Sequence, residues 1–414
     1  MNVAALVSGG VDSSVSLHLL KEAGHEITAF YLKVWLEDEL EYLGQCPWEE
    51  DLECVHQVCD SLDIPVRVIP VQQDYRDRVI RYAISEVERG RTPNPDILCN
   101  SRIKFGCFYD RIDAEYPGEF DKVATGHYAN VRENDSRYEL VTAPDPVKDQ
   151  TYFLSHLSQE QLSRAMFPIG AYRKEEVREL AARFDLVNQD RRDSQGLCFL
   201  GKISFRDFIK YHLGERPGDI IELETGERQG EHRGIWFHTI GQRQGLGLSG
   251  GPWYVARKDV AKNILYISRN YFSEDKQRDT FEVGELHWIS GRAPAQAQAD
   301  DQRELWVKLR HGEAYYACTL EPLANSAIAA AQNGASVERP LRVRIDSRDQ
   351  GIAAGQFAVF YEPPPTGDRS GDAAGSVIGS VPGDLGAPGA AATEAMSALK
   401  LSDGAVCLGC GVIL

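Results

Sequence analysis

The sequence predicts an α/β protein: a parallel sheet with helices on both faces, then a small α+β domain, then a C-terminal antiparallel β-barrel. Three observations predict it. Short apolar runs alternate with amphipathic stretches through the first third of the chain, the signature of a parallel sheet. The alternation stops after about Phe199, where Gly/Pro turns and short strands take over. From Thr280 the chain reads as short alternating strands, the pattern of a small barrel or sandwich. With 414 residues there is room for two or three domains. The expected division is 1–200, 201–277 and 278–414.

The elements follow in order. Val3 to Val7, Glu26 to Val34 and Val66 to Val71 read as buried strands. Ser13 to Ala23, Glu49 to Leu62 and Tyr75 to Arg89 read as helices, with Gly24 where a helix C′ residue belongs. Thr92 to Asn100 holds two prolines and reads as a rigid loop before a helix from Lys104 to Tyr116. Asp121 to Thr125 is a further strand. Ligands of such sheets bind beyond the strand C-terminal ends. Ser8-Gly9-Gly10 and Thr125-Gly126-His127 both follow strands and are expected to meet there. Ser204 to His212 is a short helix. Leu305 to Leu309, Ala314 to Leu320, Leu341 to Ile345 and Gln356 to Tyr361 are the later strands. Pro363 to Leu399 is rich in Gly, Ala, Pro and Ser without periodicity and is expected to be disordered. Ala405 to Ile413 again reads as a strand. The stretch at about 363–403 is therefore expected to be a long loop inside the last domain.

The formal charge of −17 argues against non-specific nucleic-acid binding. It leaves RNA open, because basic clusters recur at Arg173-Lys174, Arg191-Arg192, Lys202 to Arg216, Arg228 to Arg243 and Arg339 to Arg348. Singly each reads as a solvated face; together they permit a basic groove on an acidic body. No run is long enough to span a bilayer, and the chain enters a strand at once, so neither a membrane span nor a targeting peptide is expected. Nine cysteines without framework spacing indicate a reducing, intracellular setting, cytoplasmic or organellar.

The most informative stretch is Ser8-Gly9-Gly10-Val11-Asp12-Ser13-Ser14 between the first strand and the first helix. Adjacent glycines let backbone N–H groups approach an anion, and a helix N-terminus favours one. The pattern is neither G-x-x-x-x-G-K-[ST] nor G-x-G-x-x-G. It has no lysine to reach a γ-phosphate. The alternative is a glycine turn capped by Ser13. S-G-G-x-D-S resembles the pyrophosphate loop of ATP pyrophosphatases, which split ATP between the α- and β-phosphates.

Two cysteines stand in unusual settings. Cys99 follows Asn94-Pro95-Asp96, and Cys198 lies in Ser194-Gln195-Gly196-Leu197-Cys198-Phe199. A cysteine near a helix start or a cation can be a nucleophile. Cys54, Cys59, Cys107 and Cys318 read as small buried residues. Cys407 and Cys410 lack a second ligand pair, and residues three apart on a strand face opposite sides, so no metal site is expected.

Taken together, the segments resemble the tRNA-specific 2-thiouridylase family. The matching stretches are the Ser8 to Ser14 loop, Asn94-Pro95-Asp96 with Cys99-Asn100 and Ile103-Lys104-Phe105, and Ala124 to Tyr128. Lys148 to Phe153, Ser194 to Phe199, His238 to Leu248 and Gly355-Gln356-Phe357 continue the series in family order. Pro47 to Leu52 and Gln242 to Leu246 look most like the plant and algal branch. Where the family has Gly-Met before the loop, this chain has Leu6-Val7, and the stretch before the last strand is unusually long.

The resemblance implies an enzyme that uses ATP and Mg²⁺ to adenylate the 2-carbonyl oxygen of the wobble uridine of certain tRNAs. Sulfur from a cysteine persulfide then replaces that oxygen. Cys198 would carry the sulfur from an upstream donor protein. Cys99 would be its partner nucleophile and Asp96 the acid/base. Leu6, Val7, Ser8, Gly9, Gly10, Val11, Asp12 and Ser13 would hold ATP, with Leu32 and Gly126 at the adenine. Asn94, Pro95 and Asp96 would meet a flipped-out base. His127, Lys148, Asp149, Gln150, Arg310, His311 and Gln356 would contact tRNA. A monomer is expected, with no protein-bound metal. Three rivals stay open: an amide-forming ligase on the same loop, a catalytically silent RNA-binding protein, and a thiolase with an iron–sulfur cluster.

Overall fold

The computed structural model describes residues 1–34, 48–135, 137–192, 204–294, 305–323, 339–362 and 404–414. Cys198 and the 363–403 stretch lie outside the described residues.

The N-terminal sheet has the order β3-β2-β1-β4-β7, and every neighbouring pair in it is parallel. Its strands are β1 (Asn2–Val7), β2 (Glu26–Lys33), β3 (Val66–Pro70), β4 (Lys122–Ala124) and β7 (Ala165–Met166). Val3, Ala4, Ala29 and Phe30 are buried completely, as expected for strands covered on both faces. Helix α1 (Val11–Glu22) is buried on two sides. Leu17 and Leu20 pack with β1, β2 and the helix α2 (Trp48–Ser61). Val11, Val15 and Leu19 pack with Val177 and Ala181 of a later helix (Lys174–Arg183).

The expected proline loop is instead a helix. Pro95–Leu98, Cys99–Cys107 and Phe108–Glu115 run on as one helical stretch whose middle is π-helical. Asn94 is its extended N-cap and Pro95 occupies the first turn, where a missing N–H costs nothing. Cys99 therefore sits inside the helical stretch, not ahead of it. A π-helical insertion of this kind is uncommon and recurs at functional sites.

The hairpin β5 (Asn130–Asn134) and β6 (Arg137–Val141) was not foreseen. Through β6 it pairs with the last strand of the chain, β17 (Val406–Ile413). The central sheet, β10-β11-β8-β9, holds β8 (Gly218–Glu222), β9 (Arg228–His232), β10 (Tyr254–Asp259) and β11 (Ile264–Ser268).

The barrel runs β12-β15-β14-β13-β16-β17 and closes by pairing β12 with β17. Besides β17 its strands are β12 (Arg278–Trp288), β13 (Leu305–Lys308), β14 (Tyr316–Pro322), β15 (Leu341–Asp349) and β16 (Phe357–Glu362). All of its pairings are antiparallel. The final strand thus returns to the sheet as the sequence predicts. A register shift opposite Phe360/Tyr361 places Cys407 and Cys410 in one core cluster, although a regular strand would separate them. Among the described residues no group of three or more His, Cys, Asp or Glu is placed to hold a metal, and no helix is long and apolar enough to cross a membrane.

Candidate active site

The glycine loop emerges from β1 at the C-terminal edge of the sheet. Gly9 has a φ of +73°, and a Cβ there would stand 2.6 Å from the Asp51 carbonyl oxygen of α2. Glycine is required on both counts. Gly10 is the N-cap of α1 and no side chain caps the helix. Ser13 does not cap it: its hydroxyl donates to the Gly10 carbonyl at 2.9 Å and accepts from Ser8 N–H at 3.3 Å. The first turn of α1 therefore presents backbone donors to an anion.

The loop is braced from behind. Asn188 Nδ2 donates to the Gly9 carbonyl at 2.9 Å and to Ser14 Oγ at 3.0 Å. Arg191 Nη1 donates to the same carbonyl at 3.1 Å and pairs with Asp51. Burial holds the Asp51 carboxyl above its ordinary range despite that pairing. Cys54 Sγ also lies 3.4 Å from the Gly9 carbonyl, and burial pushes its thiol up. Cys54 thus braces the loop and is not only the small buried residue that its sequence setting suggests.

Asp12 points the other way. Lys174 Nζ reaches both its oxygens, at 2.8 and 3.0 Å, and Tyr128 OH donates to it at 2.9 Å. The Lys174 side chain is only 13 % exposed, so the cluster read as a solvated face supplies a nearly buried cation to the phosphate loop. The loop's own sequence has no lysine; the protein brings one from a helix 162 positions away. Gln150 Oε1 accepts from Tyr128 N–H at 2.9 Å and so fixes the tyrosine.

Gly126 meets the loop as expected: a Cβ would stand 2.8 Å from Ser13 N. Leu6 and Val7 pair with Phe30 and Tyr31, and Leu32 lies one residue beyond on β2, half-buried. His127 follows Gly126 and is buried. Its Nδ1 lies 2.7 Å from Thr125 Oγ1, and its ring packs on Phe105 and Phe167. Burial, with the Lys104 charge nearby, holds it neutral, well below the usual histidine range. Lys104 also faces Asp96, whose carboxyl burial pushes up to about 6 against the opposing pull of that cation. From the loop, Gly126 leads to the buried His127, and the Lys104 charge acts on both His127 and Asp96. Lys104 itself lies in the π-helical turn.

Asn94, Pro95 and Asp96 open the helix against the barrel. Thr92 N–H donates to the Ala354 carbonyl at 2.8 Å, and Gln356 Nε2 donates to the Thr92 carbonyl at 3.0 Å. Asn100 Nδ2 bridges the Asp96 and Phe153 carbonyls at 3.1 and 3.2 Å. Cys99 is buried just below.

The residues assigned to tRNA divide into two groups. Arg310 and His311 are exposed and Lys148 is half-buried. His311 stacks on Phe153, with centroids 4.8 Å apart, and its Nε2 lies 3.1 Å from the Asp149 carbonyl. Asp149 is interior. Its carboxylate meets Lys308 Nζ at 3.2 Å and Thr151 Oγ1 at 2.8 Å, because a buried charge must be paired. With His127 buried and the Gln356 amide given to Thr92, these three residues hold the surface that Lys148, Arg310 and His311 present.

Three family profiles match in series. They are described as "tRNA methyl transferase HUP domain" over residues 1–202, "tRNA methyl transferase PRC-barrel domain" over 206–269 and "Aminomethyltransferase beta-barrel domain" over 278–369. A Parabacteroides distasonis protein named "tRNA-specific 2-thiouridylase MnmA" is 44% identical over 362 residues, 87% of this chain and 95% of its own. A Porphyromonas gingivalis protein of the same name is 43% identical over 364 residues, 87% of this chain and 96% of its own. A solved 4-thiouridine synthetase–RNA complex with bound ATP overlaps 48% of this chain and 44% of its own at 14% identity, with a TM-score of 0.32, too little to bear on the fold. The identity and coverage of the curated relatives establish that the chain belongs to the tRNA-specific 2-thiouridylase family.

Proposed function

We propose that this chain is a tRNA-uridine 2-sulfurtransferase, which converts the wobble uridine of certain tRNAs to 2-thiouridine with release of AMP and pyrophosphate. One observation carries the reading: the uncapped glycine loop packs against Gly126 beside the buried His127, and the Lys104 charge acts both on that histidine and on Asp96 at the helix start that leads into Cys99. A methyl transfer, the reaction in the profile descriptions, needs no pyrophosphate cradle.

ATP supplies the adenylyl group that makes the uridine 2-oxygen a leaving group. The residues present fit it: the uncapped α1 terminus and the Gly9-Gly10 backbone suit the phosphates. Mg²⁺ is ordinarily held by one or two carboxylates plus substrate phosphates, and Asp12 is the carboxylate in place. Lys174 offsets phosphate charge beside it. Leu32 and Gly126 border the adenine. Asn94 and Pro95 receive the extruded base, and Asp96 holds or removes a proton there. Cys198 carries persulfide sulfur delivered by a donor protein; the Cys99 thiolate attacks its inner sulfur, the hydrosulfide released displaces AMP from the uridine C2, and the Cys99–Cys198 disulfide left behind is reduced by an external thiol. Lys148, Gln150, Arg310 and His311 position tRNA. The enzyme works in a reducing compartment, on the strength of its cysteine usage.

The test is incubation with ATP, Mg²⁺, a persulfide donor and unmodified tRNA, with 2-thiouridine measured in the digest. Cys99→Ser and Cys198→Ser are each expected to abolish the product. Full activity in both variants would sink the mechanism.

A further inference from the structure

The His238 to Leu248 stretch matches the family as strongly as the phosphate loop, yet nothing in the reaction uses it. In the structure its Ile240 and Gly241 form one wall of a cleft of about 450 Å³ between the central domain and the barrel. The opposite wall is the end of β15 and its turn, Arg348 to Gly351, together with Arg310. Gly241 has a φ of +82°, and a Cβ on it would stand 3.0 Å from Tyr271 OH, so the wall is shaped by glycine.

Four features of this cleft point to one kind of ligand. Phe272, in its lining, is 63% exposed, although it is braced edge-on by Tyr254 and Tyr271 with centroids at 5.0 and 5.5 Å. A rigid, exposed aromatic face is a stacking platform. Arg348 is exposed and has no carboxylate partner among the described residues. The lining carboxylate, Asp349, is already committed to Arg310 Nη1 at 3.2 Å, Tyr316 OH at 2.6 Å and Gly351 N–H at 2.6 Å. The cleft is thus net cationic on a chain of charge −17. Gln350 Nε2, also in the lining, is a buried donor with no partner among the described residues. An aromatic face, a free guanidinium and an unmet amide donor in a space of nucleotide size match a base, a phosphate and a carbonyl or phosphate oxygen.

We propose that this cleft is a second nucleotide subsite, which takes one unpaired nucleotide of the bound tRNA away from the target uridine. Its base stacks on Phe272, and its phosphate meets Arg348. Gln350 Nε2 donates to it from the floor. Arg310 joins the cleft to the Lys148, His311 surface, so one RNA can cover both. The inference rests on the tRNA reading of the preceding section.

The experiment measures binding of an unmodified tRNA transcript to the full chain by fluorescence anisotropy across a salt series, alongside 2-thiouridine formation. Phe272→Ala should weaken binding about tenfold at every salt concentration, and Phe272→Trp should restore it. Arg348→Gln should weaken binding and lower the salt slope by about 1. In both, the loss should fall on KM for tRNA, not on kcat. If wild type binds and thiolates tRNA while Phe272→Ala and Arg348→Gln bind within twofold of it, the subsite is overturned and the proposed function stands. If wild type neither binds nor thiolates tRNA, both fall.

Discussion

Asp12 is the residue on which the phosphate site turns, because it is shared by a cation and a phenol before any phosphate arrives. Lys174 holds both carboxylate oxygens, and Tyr128 holds one. In the proposed reaction a cation so placed would stabilise charge that grows on a departing pyrophosphate, and the more so because it is nearly buried. Lys174→Met is expected to lower kcat for 2-thiouridine formation by about 10²-fold, with Lys174→Arg intermediate. Steady-state kinetics with saturating tRNA reads this directly, and a wild-type rate in the Met variant would remove Lys174 from the chemistry. Asp96 makes a different prediction. Burial raises its folded pKa to about 6, above its unfolded value, so the folded state prefers the protonated acid. Stability from this group is present at low pH and is lost as pH rises from about 4 to 6. Activity should run oppositely if Asp96 accepts a proton, rising through pH of about 6. Asp96→Asn should remove that limb of the pH–rate profile and flatten the stability change over the same range, as followed by thermal melts in buffers from pH 4 to 7.

At the scale of elements, the approach of Gly126 to α1 decides whether the loop keeps its shape. A Cβ at Gly126 would stand 2.8 Å from Ser13 N and 2.9 Å from the Asp12 carbonyl carbon, both backbone atoms that cannot swing aside. Gly126→Ala should therefore cost about 1–3 kcal/mol in chemical denaturation and weaken ATP binding by calorimetry more than tRNA binding. An unchanged ATP affinity would show that β4 and the loop are not coupled. This junction was legible in the sequence, since both segments follow short apolar strands and parallel sheets gather such ends on one edge. The Asn94–Cys99 stretch was not. Two prolines argue for a loop, but Pro95 falls at the first turn of a helix, where proline is favoured, and only the N-cap geometry of Asn94 separates the two outcomes. Lys104 and Lys174 were hidden for a related reason. Lys174 meets Asp12 from 162 positions away and the Lys104 charge acts on the buried His127 of another segment, and a charged residue on a helix has no local signal to tell a solvated face from such a role. The hairpin β5–β6 was missed because its other partner, β17, lies near the end of the chain.

At the scale of the whole molecule, the N-terminal domain and the barrel are joined by a buried ion pair. Lys308 and Asp149 are each 1% exposed, and Lys308 Nζ also sits 4.2 Å from the Tyr315 ring centroid. Around them Tyr152 OH donates to the Phe357 carbonyl at 3.0 Å, and Thr151 Oγ1 lies 3.2 Å from Tyr361 OH. The segment that carries Lys148 to Gln150 is therefore fixed by the barrel, and the surface proposed to face RNA depends on that docking. Removing one partner leaves an uncompensated interior charge, whereas removing both leaves none. Lys308→Met should cost about 3–5 kcal/mol, and Lys308→Met with Asp149→Asn should recover much of that loss. The double variant should nevertheless bind tRNA more weakly than wild type, because the 148–150 segment loses its anchor while the phosphate loop keeps its own. Urea denaturation gives the first two quantities, and tRNA and ATP affinities measured on the double variant give the third. If tRNA and ATP affinities fall together, the pair stabilises the fold at large. If tRNA affinity alone falls, the pair is the strut that turns two domains into one RNA surface.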